Sequence, residues 1–574
     1  MEVWRSQDLH AFSLVNSGVS WNERVPLYLA LRASANFFKV DNRSMEQVKP
    51  SRVSTFQVLN NDLIHRKFQG TDVSSPAHTE EFFTLESTPV TGDSVQNSSS
   101  AVSVSSNRGP FSPHCSQSYA SDLHHSCDYT YDSPFTGSSV LCNEENLAHA
   151  LWMLKNDLLG PESADGDVSG SLSDMVMSST RYGKILEMAA LMDLKQLLVA
   201  CAETVSEADS NSMDERRLAV SAAEALMGML ERRVSVSGDP LQRLGAYLLE
   251  GLKARLLSSG SIIYKKLKCN EKASSELMSY MHVLYEICPY YKFAYVSANA
   301  VIREAMENES RIHVIDFQIA QGSQWVSFIQ SLSSRPGGPP YLRITGVDDS
   351  QSAFARGGGL ELVCQRLASV AEECRVPFEF HGAGMSGCEV QFENLRVLQG
   401  ESLAVNFPYI LHHMPDESVS TTNHRDRLLR LVKSLSPKIV TLSEQESNTN
   451  TSSFFPRFLE TLDYYSAIFE SIDVVLPRDD RQRISTEEHC VGRDIVNIIA
   501  CEGIDRMERH ELLGKWRLRL TMAGFSPVPL NSSVKSTRRE VLRDYSTNYR
   551  IAEANDALYL GWKNRALYTF SAWR

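Results

Sequence analysis

A chain of 574 residues with 70 acidic against 57 basic side chains, a net charge of −13 and a pI of about 5.7 carries no global basic footprint. Phosphate neutralisation supplies most non-specific nucleic-acid affinity, so this balance excludes a protein that coats nucleic acid by bulk charge and confines DNA contact to a local patch or a partner. No stretch approaches the roughly 20 apolar residues that cross a bilayer, and the eleven cysteines form no C-x-x-C pair, which points to reduced thiols inside a cell.

Asp8 and Glu23 interrupt the first 40 residues, and the short apolar run at 27–31 follows no basic region, so this segment does not read as a signal peptide. Nuclear or cytosolic residence is the expectation. Residues 71–140 are dominated by Ser, Thr, Asp, Gly and Pro, a composition that buries too little apolar area to offset the entropy of ordering. We expect residues 1–190 to be mostly disordered. Ser75, Ser112 and Ser133 each precede proline, as proline-directed kinases require, although a solvated linker has the same composition. One island, 144–160, spaces Leu147, Leu151, Leu154 and Leu158 as a short helix that forms on docking.

From Asp193 the periodicity is helical. Leu194, Leu197, Leu198, Cys201 and Val205 share one face, and further helices are expected at 217–232, 240–258 and 275–285, the second carrying Leu244, Leu248 and Leu252. This part should form an all-helical cap. After residue 310 strands and helices alternate: strands at 311–316, 341–347, 377–381, 403–407 and 438–443, and helices at 324–333, 359–374, 423–434 and 454–469. Such βα repeats imply an α/β fold, a Rossmann-like (methyltransferase-like) parallel sheet with helices on both faces. The C-terminal end, 516–524 and 559–574, reads as a helix followed by aromatic antiparallel edge strands.

Chemistry at the strand ends is suggestive and then fails. Asp316 and Asp348 end two strands where a methyltransferase-like fold holds its cofactor. The turn after Asp316 is Phe317-Gln318-Ile319-Ala320-Gln321-Gly322, with bulky side chains where glycines would let a ligand approach the backbone. His313 in an apolar strand reads as a core histidine bonded across the sheet, and Asp316 as an acceptor for the loop amides that follow it. His412-His413 and His124-His125-x-Cys127 lack partners at metal-ligand spacing. No residue is assigned a catalytic, cofactor-binding or metal-ligating role. Arg425, Arg427 and Arg430 form one basic group, and Arg506, Arg509, Lys515, Arg517 and Arg519 another, with acids interleaved. A salt-laced solvated helix face explains them, with direct DNA contact through Arg425, Arg427 and Arg430 as the alternative. Leu194-Lys195-Gln196-Leu197-Leu198 is an L-x-x-L-L sequence, suited to groove docking or to ordinary core packing.

Ile312-His313-Val314-Ile315-Asp316 resembles the VHIID signature of the GRAS family, and FQIAQGSQW continues it. The resemblance is ordered and covers roughly residues 190–574. It implies a first leucine repeat at about 194–260, a VHIID region at 275–346, a second leucine repeat at 359–394, a PFYRE region at 403–497 and a SAW region at 500–574. Tyr464 and Tyr465 stand at the aromatic pair, Arg509 and Glu511 at the Arg-Glu element, Trp516 and Trp562 at the tryptophans, and Ser571-Ala572-Trp573 at the closing signature. LLGPESAD and GVDDSQSAFARGGGL resemble the scarecrow-like branch named for phytochrome A signal transduction. The resemblance implies a plant nuclear regulator of transcription, with a cytoplasmic pool and without methyltransferase activity or a cofactor. It would dock transcription factors and other members of the family through Leu194, Leu197, Leu198, Leu244, Leu248 and Leu252, as a homo- or heterodimer, reaching DNA mostly through partners. Direct sequence-specific DNA binding and an S-adenosylmethionine-dependent activity are the competing expectations.

Overall fold

Local capping fixes where the first helices begin. The structure is a computed structural model, which describes residues 134–135, 170–209, 212–257, 274–348 and 359–574. Six helices precede the first strand among them: α1 (Gly170–Ala189), α2 (Leu194–Glu207), α3 (Met213–Glu231), α4 (Pro240–Leu256), α5 (Ser274–Ile287) and α6 (Tyr290–Ala305). Asp193 caps α2 by accepting from the Gln196 amide at 2.8 Å while Gln196 Oε1 accepts from the Asp193 amide at 3.0 Å. Asp239 and Gln242 repeat that reciprocal box on α4, with Pro240 at its first turn.

β1 (Arg311–Asp316), α7 (Ser323–Ser333), β2 (Tyr341–Asp348), α8 (Gly359–Glu373), β3 (Phe378–Gly384), β4 (Ser402–Pro408), α9 (His424–Ser434), β5 (Ile439–Gln445) and α10 (Phe454–Asp473) give the expected alternation. α11 (Arg481–Thr486) runs through a π turn into α12 (Arg493–Ala500), and α13 (Leu513–Met522), α14 (Ser532–Leu542), β6 (Tyr549–Ala554), β7 (Ala557–Trp562) and β8 (Arg565–Trp573) end the chain. The sheet order is β3-β2-β1-β4-β5-β8-β7-β6. β1 to β5 are parallel and β8, β7 and β6 antiparallel.

Both faces of the sheet are buried along β1, β2, β4 and β5, which is why those strands read as continuous apolar runs, while β3 and β6 at the margins are partly exposed. Val314, Ala404 and Ile439 face a core shared with α2, α4, α6, α7 and α10, while their neighbours Ile315, Val405 and Val440 face a second core closed by α9 and α13. The cap is joined to the later half by α4, which lies against α10 and α12; a Cβ on Gly251 would stand 2.9 Å from Ile499. Buried Arg243 of α4 donates to Glu487 from its Nε at 3.2 Å and to Asp473 at 2.6 Å.

Three features differ from the sequence expectation. Helix α1 starts ahead of the boundary expected at residue 191, and α6, α11, α12 and α14 are additional. The aromatic and β-branched content of Tyr290–Ala305 masks its helical period, and Arg481–Thr486 opens on polar residues. β8 is not an edge strand, since it sits between β5 and β7, leaving β6 at the margin. The expected helix at 144–160 and the three Ser-Pro sites lie outside the described residues, Pro134 apart.

Candidate functional site

Ligands of open α/β sheets bind in the crevice beyond the strand carboxyl ends where strand order reverses. Here that place lies past Asp316, the last residue of β1, and Asn406, which stands opposite it two residues before the end of β4. Asp316 is 1% exposed; its Oδ1 accepts from the Gln318 amide at 3.0 Å and its Oδ2 from Trp325 Nε1 at 2.7 Å. Burial pushes the Asp316 carboxyl up to about 7, although its hydrogen bonds from Gln318, Trp325 and Asn406 oppose the shift. Gln324 accepts from Asn406 Nδ2 at 3.0 Å and donates to Asn299 Oδ1 at 3.2 Å, and Phe317 stacks on Phe407 at 4.7 Å. Ile319 closes on β2 so tightly that a Cβ on Gly346 would stand 3.0 Å from it. Asp348, at the end of β2, is buried as well. The turn therefore covers the strand ends with side chains, and Asp316 has both oxygens committed to its own loop and to Trp325.

The rest of the signature strand is core. Ile312, Val314 and Ile315 are fully buried on the two faces of the sheet. His313 is neutral, burial pulling its ring down to about 3; Nε2 donates to Thr345 Oγ1 at 2.8 Å and Nδ1 accepts from Arg343 at 3.2 Å.

The basic residues expected to touch DNA do not form one surface patch, and the burial of Arg425 fits neither sequence reading of that residue. Arg425 is fully buried and donates to the carbonyls of Met414 at 2.8 Å, His412 at 3.3 Å and Arg509 at 2.8 Å. Arg427 is half-buried and spends its guanidinium on the carbonyls of Val390, Gly387 and Cys388. Arg430 alone of the three is exposed. In the second group Arg506, Arg509 and Arg519 are buried too, because loop carbonyls and acids need internal donors.

A similar correction applies to the docking leucines. Leu197, Leu198, Leu244, Leu248 and Leu252 are completely buried in the larger core, and only Leu194 is half-exposed. Their helical face is apolar because it packs inside the cap. Exposed apolar side chains stand elsewhere: Leu191 at 90%, Met213 at 69% and Leu257 at 70%.

The Arg-Glu element lies in a buried polar network, and the closing signature lies in the sheet beside β5. Asn450 bridges the pair: its Oδ1 accepts from Arg509 at 3.2 Å and its Nδ2 donates to Glu511 at 2.6 Å. Glu511 also receives Arg519 at 2.7 Å and Lys515 at 2.9 Å and lies 3.2 Å from Arg425, which holds its carboxyl down at about 2 despite burial. Arg519 reaches Asp416 at 3.2 Å, and the Arg425 guanidinium lies 5.1 Å from the Trp516 ring. Tyr464 donates to the Leu567 carbonyl at 2.9 Å and stands edge-on to Tyr465 at 5.2 Å. Trp562 donates to Glu470 at 3.1 Å, and Trp573 to Ser571 Oγ at 2.9 Å, while Ala572 and Ser571 pair with Thr441 and Leu442 of β5. Asn450, Asp416 and Arg519 carry this network as much as the motif residues do. Their signal in the sequence is weak, because each is a polar residue in a polar segment.

Fold and site define a capped Rossmann-like protein whose ligand crevice is filled from within. Residues 194–574 match the GRAS domain family. The chain is 55% identical to scarecrow-like protein 13 of Arabidopsis thaliana over 86% of this chain and 92% of that protein. It is 56% identical to the scarecrow-like transcription factor PAT1 of the same plant, over 78% and 89%, and 53% identical to chitin-inducible gibberellin-responsive protein 2 of Oryza sativa subsp. japonica, over 86% and 88%. The crystal structure of SCL7 in Oryza sativa superposes with a TM-score of 0.57 at 33% identity, covering 67% of this chain and all of that one. The chain belongs to the GRAS domain family, among the scarecrow-like plant transcriptional regulators.

Proposed function

We propose that this protein regulates plant transcription as a docking scaffold for other transcription factors, within light, hormone or stress signalling, and without catalysis. The observation that carries the reading is the closed crevice: Trp325 and the turn at 317–322 hold Asp316, so the position a cofactor would take is built from the chain itself. The names of two relatives, a transcription factor and a chitin-inducible gibberellin-responsive protein, support the signalling context. With the repeat leucines inside, the docking residues proposed here are exposed apolar side chains at the ends of the cap helices: Leu191 at the end of the cap where Arg233 binds the Ala190 and Met192 carbonyls, and Met213 and Leu257 at the other. The partners are transcription factors and other GRAS proteins, in homo- or heterodimers; DNA is reached through them, and the protein resides in the nucleus with a cytoplasmic pool.

The test is co-purification from plant nuclei with the full chain and with a Leu191→Glu, Met213→Glu, Leu257→Glu variant. Loss of transcription-factor partners with an unchanged thermal midpoint supports the reading; an unaltered partner set overturns the proposed docking residues. Titration with S-adenosylmethionine that released heat would overturn the closed crevice, and salt-sensitive binding of naked DNA by the purified chain would favour direct contact instead.

A further inference from the structure

His412 and His413 lie on a short turn after β4, and Glu508 and His510 on the segment ahead of α13. Each of His412, His413 and Glu508 offers a ligand atom within 4.8 Å of the other two. Glu508 is central: its Oε1 stands 3.2 Å from His413 Nδ1, and its Oε2 3.6 Å from His412 Nε2 and 3.5 Å from His510 Nε2. Ligand atoms that share one tetrahedral ion at about 2.0–2.1 Å stand about 3.3 Å apart. The observed spacings are close to that edge length, and the two to Glu508 Oε2 are long for hydrogen bonds. Glu508 Oε2 and His510 Nε2 have no hydrogen-bond partner, though the residues are only 3% and 1% exposed. Leaving such atoms bare is costly and calls for an occupant.

The outer contacts have the form that metal-binding imidazoles use. His412 Nδ1 donates to Glu444 Oε2 at 2.5 Å, which leaves the lone pair on Nε2, facing Glu508. Glu444 is itself held by the Leu411 amide at 2.8 Å, and His510 Nδ1 lies 2.9 Å from Thr449 Oγ1. The His413 side chain is 33% exposed and leaves a way in for an ion.

We propose that His412 Nε2, the His413 imidazole and the Glu508 carboxylate bind one divalent transition-metal ion, zinc by the preference of imidazole and carboxylate ligands. The ion clamps the loop after β4 to the segment before α13, a structural role independent of the docking reading. It also explains why two adjacent histidines without sequence-local partners meet a carboxylate and a third histidine in the fold.

The test uses the full chain purified without a histidine tag and without chelator, with metal content read by plasma mass spectrometry. About one equivalent of metal is expected, falling at least tenfold in His413→Ala and in Glu508→Gln and persisting in His381→Ala. His413→Ala alters a partly exposed residue, and its far-UV spectrum and thermal midpoint with excess chelator show whether it folds as the metal-free parent does. Glu444→Gln should weaken zinc binding about 10–100-fold. A metal-free parent whose thermal midpoint ignores added zinc overturns the proposal, as does a full equivalent retained in both His413→Ala and Glu508→Gln. In the first case a protonated His413 paired with Glu508 accounts for the cluster.

Discussion

Trp325 Nε1 donates to Asp316 Oδ2 at 2.7 Å across the turn that follows β1, so the strand-end acid is satisfied by the helix that covers it. Trp325→Phe keeps the ring packing and removes the donor. One oxygen of a buried carboxyl then lacks its partner, and a loss of about 1–3 kcal/mol is expected in urea denaturation. A variant as stable as the parent would show that the crevice is held by packing alone.

The same acid sets a pH signature. Its carboxyl is raised to about 7 in the folded protein, so its contribution is fully present below the unfolded value of about 4 and is lost as pH rises through 7. Asp316→Asn cannot ionise. The stability gap between parent and variant should therefore be widest near pH 4 and narrow by about pH 8, measured as the difference in denaturation midpoints. A gap that widens with pH would mean that Asp316 is held ionised.

Arg425→Ala removes the donor to three buried carbonyls and leaves Glu511 short of one positive neighbour. Breaking such a buried arrangement costs about 3–5 kcal/mol. Arg430→Ala, at an exposed position, should stay within about 0.5 kcal/mol. A folded Arg425→Ala protein of parental stability, with weakened and less salt-dependent DNA binding, would restore the phosphate-contact reading.

Leu198→Ala and Leu248→Ala should each cost about 2–5 kcal/mol by opening cavities in the cap core. Leu191→Ala, on a 90% exposed side chain, should change stability by less than about 0.5 kcal/mol. Partner capture by folded Leu191 variants is then readable without the ambiguity that core leucines bring.

Deleting the last four residues removes Ser571, Ala572 and Trp573 from β8, which bridges β5 and β7 in the middle of the eight-stranded sheet. The parallel core would lose its junction to the antiparallel strands. The truncated chain is expected to aggregate or to melt without a cooperative transition in calorimetry.

Much of this architecture is a property of local pattern. The runs at 311–316, 341–348, 402–408 and 439–445 are apolar on both faces and sit between helical periods, so a two-sided parallel sheet was legible residue by residue. The bulky turn after Asp316 likewise announced a closed crevice, because the side chains that close it are neighbours in the chain. Burial is a different kind of property. Helical spacing shows that Leu197, Leu198, Leu244 and Leu248 share a face, but only the packing of α2 and α4 with α10 and α12 decided that the face is interior. Arg425 and Arg509 look like surface charge until the carbonyls and acids of distant loops enclose them. His412 and His413 meet Glu508 and His510 only after α9, β5, α10, α11 and α12 have folded between them. The sequence by itself determined most of the secondary structure, the sheet class and the family, since these rest on periodicity and short motifs. Tertiary structure alone decided which charged and apolar groups face water, because that depends on what the rest of the chain lays over them.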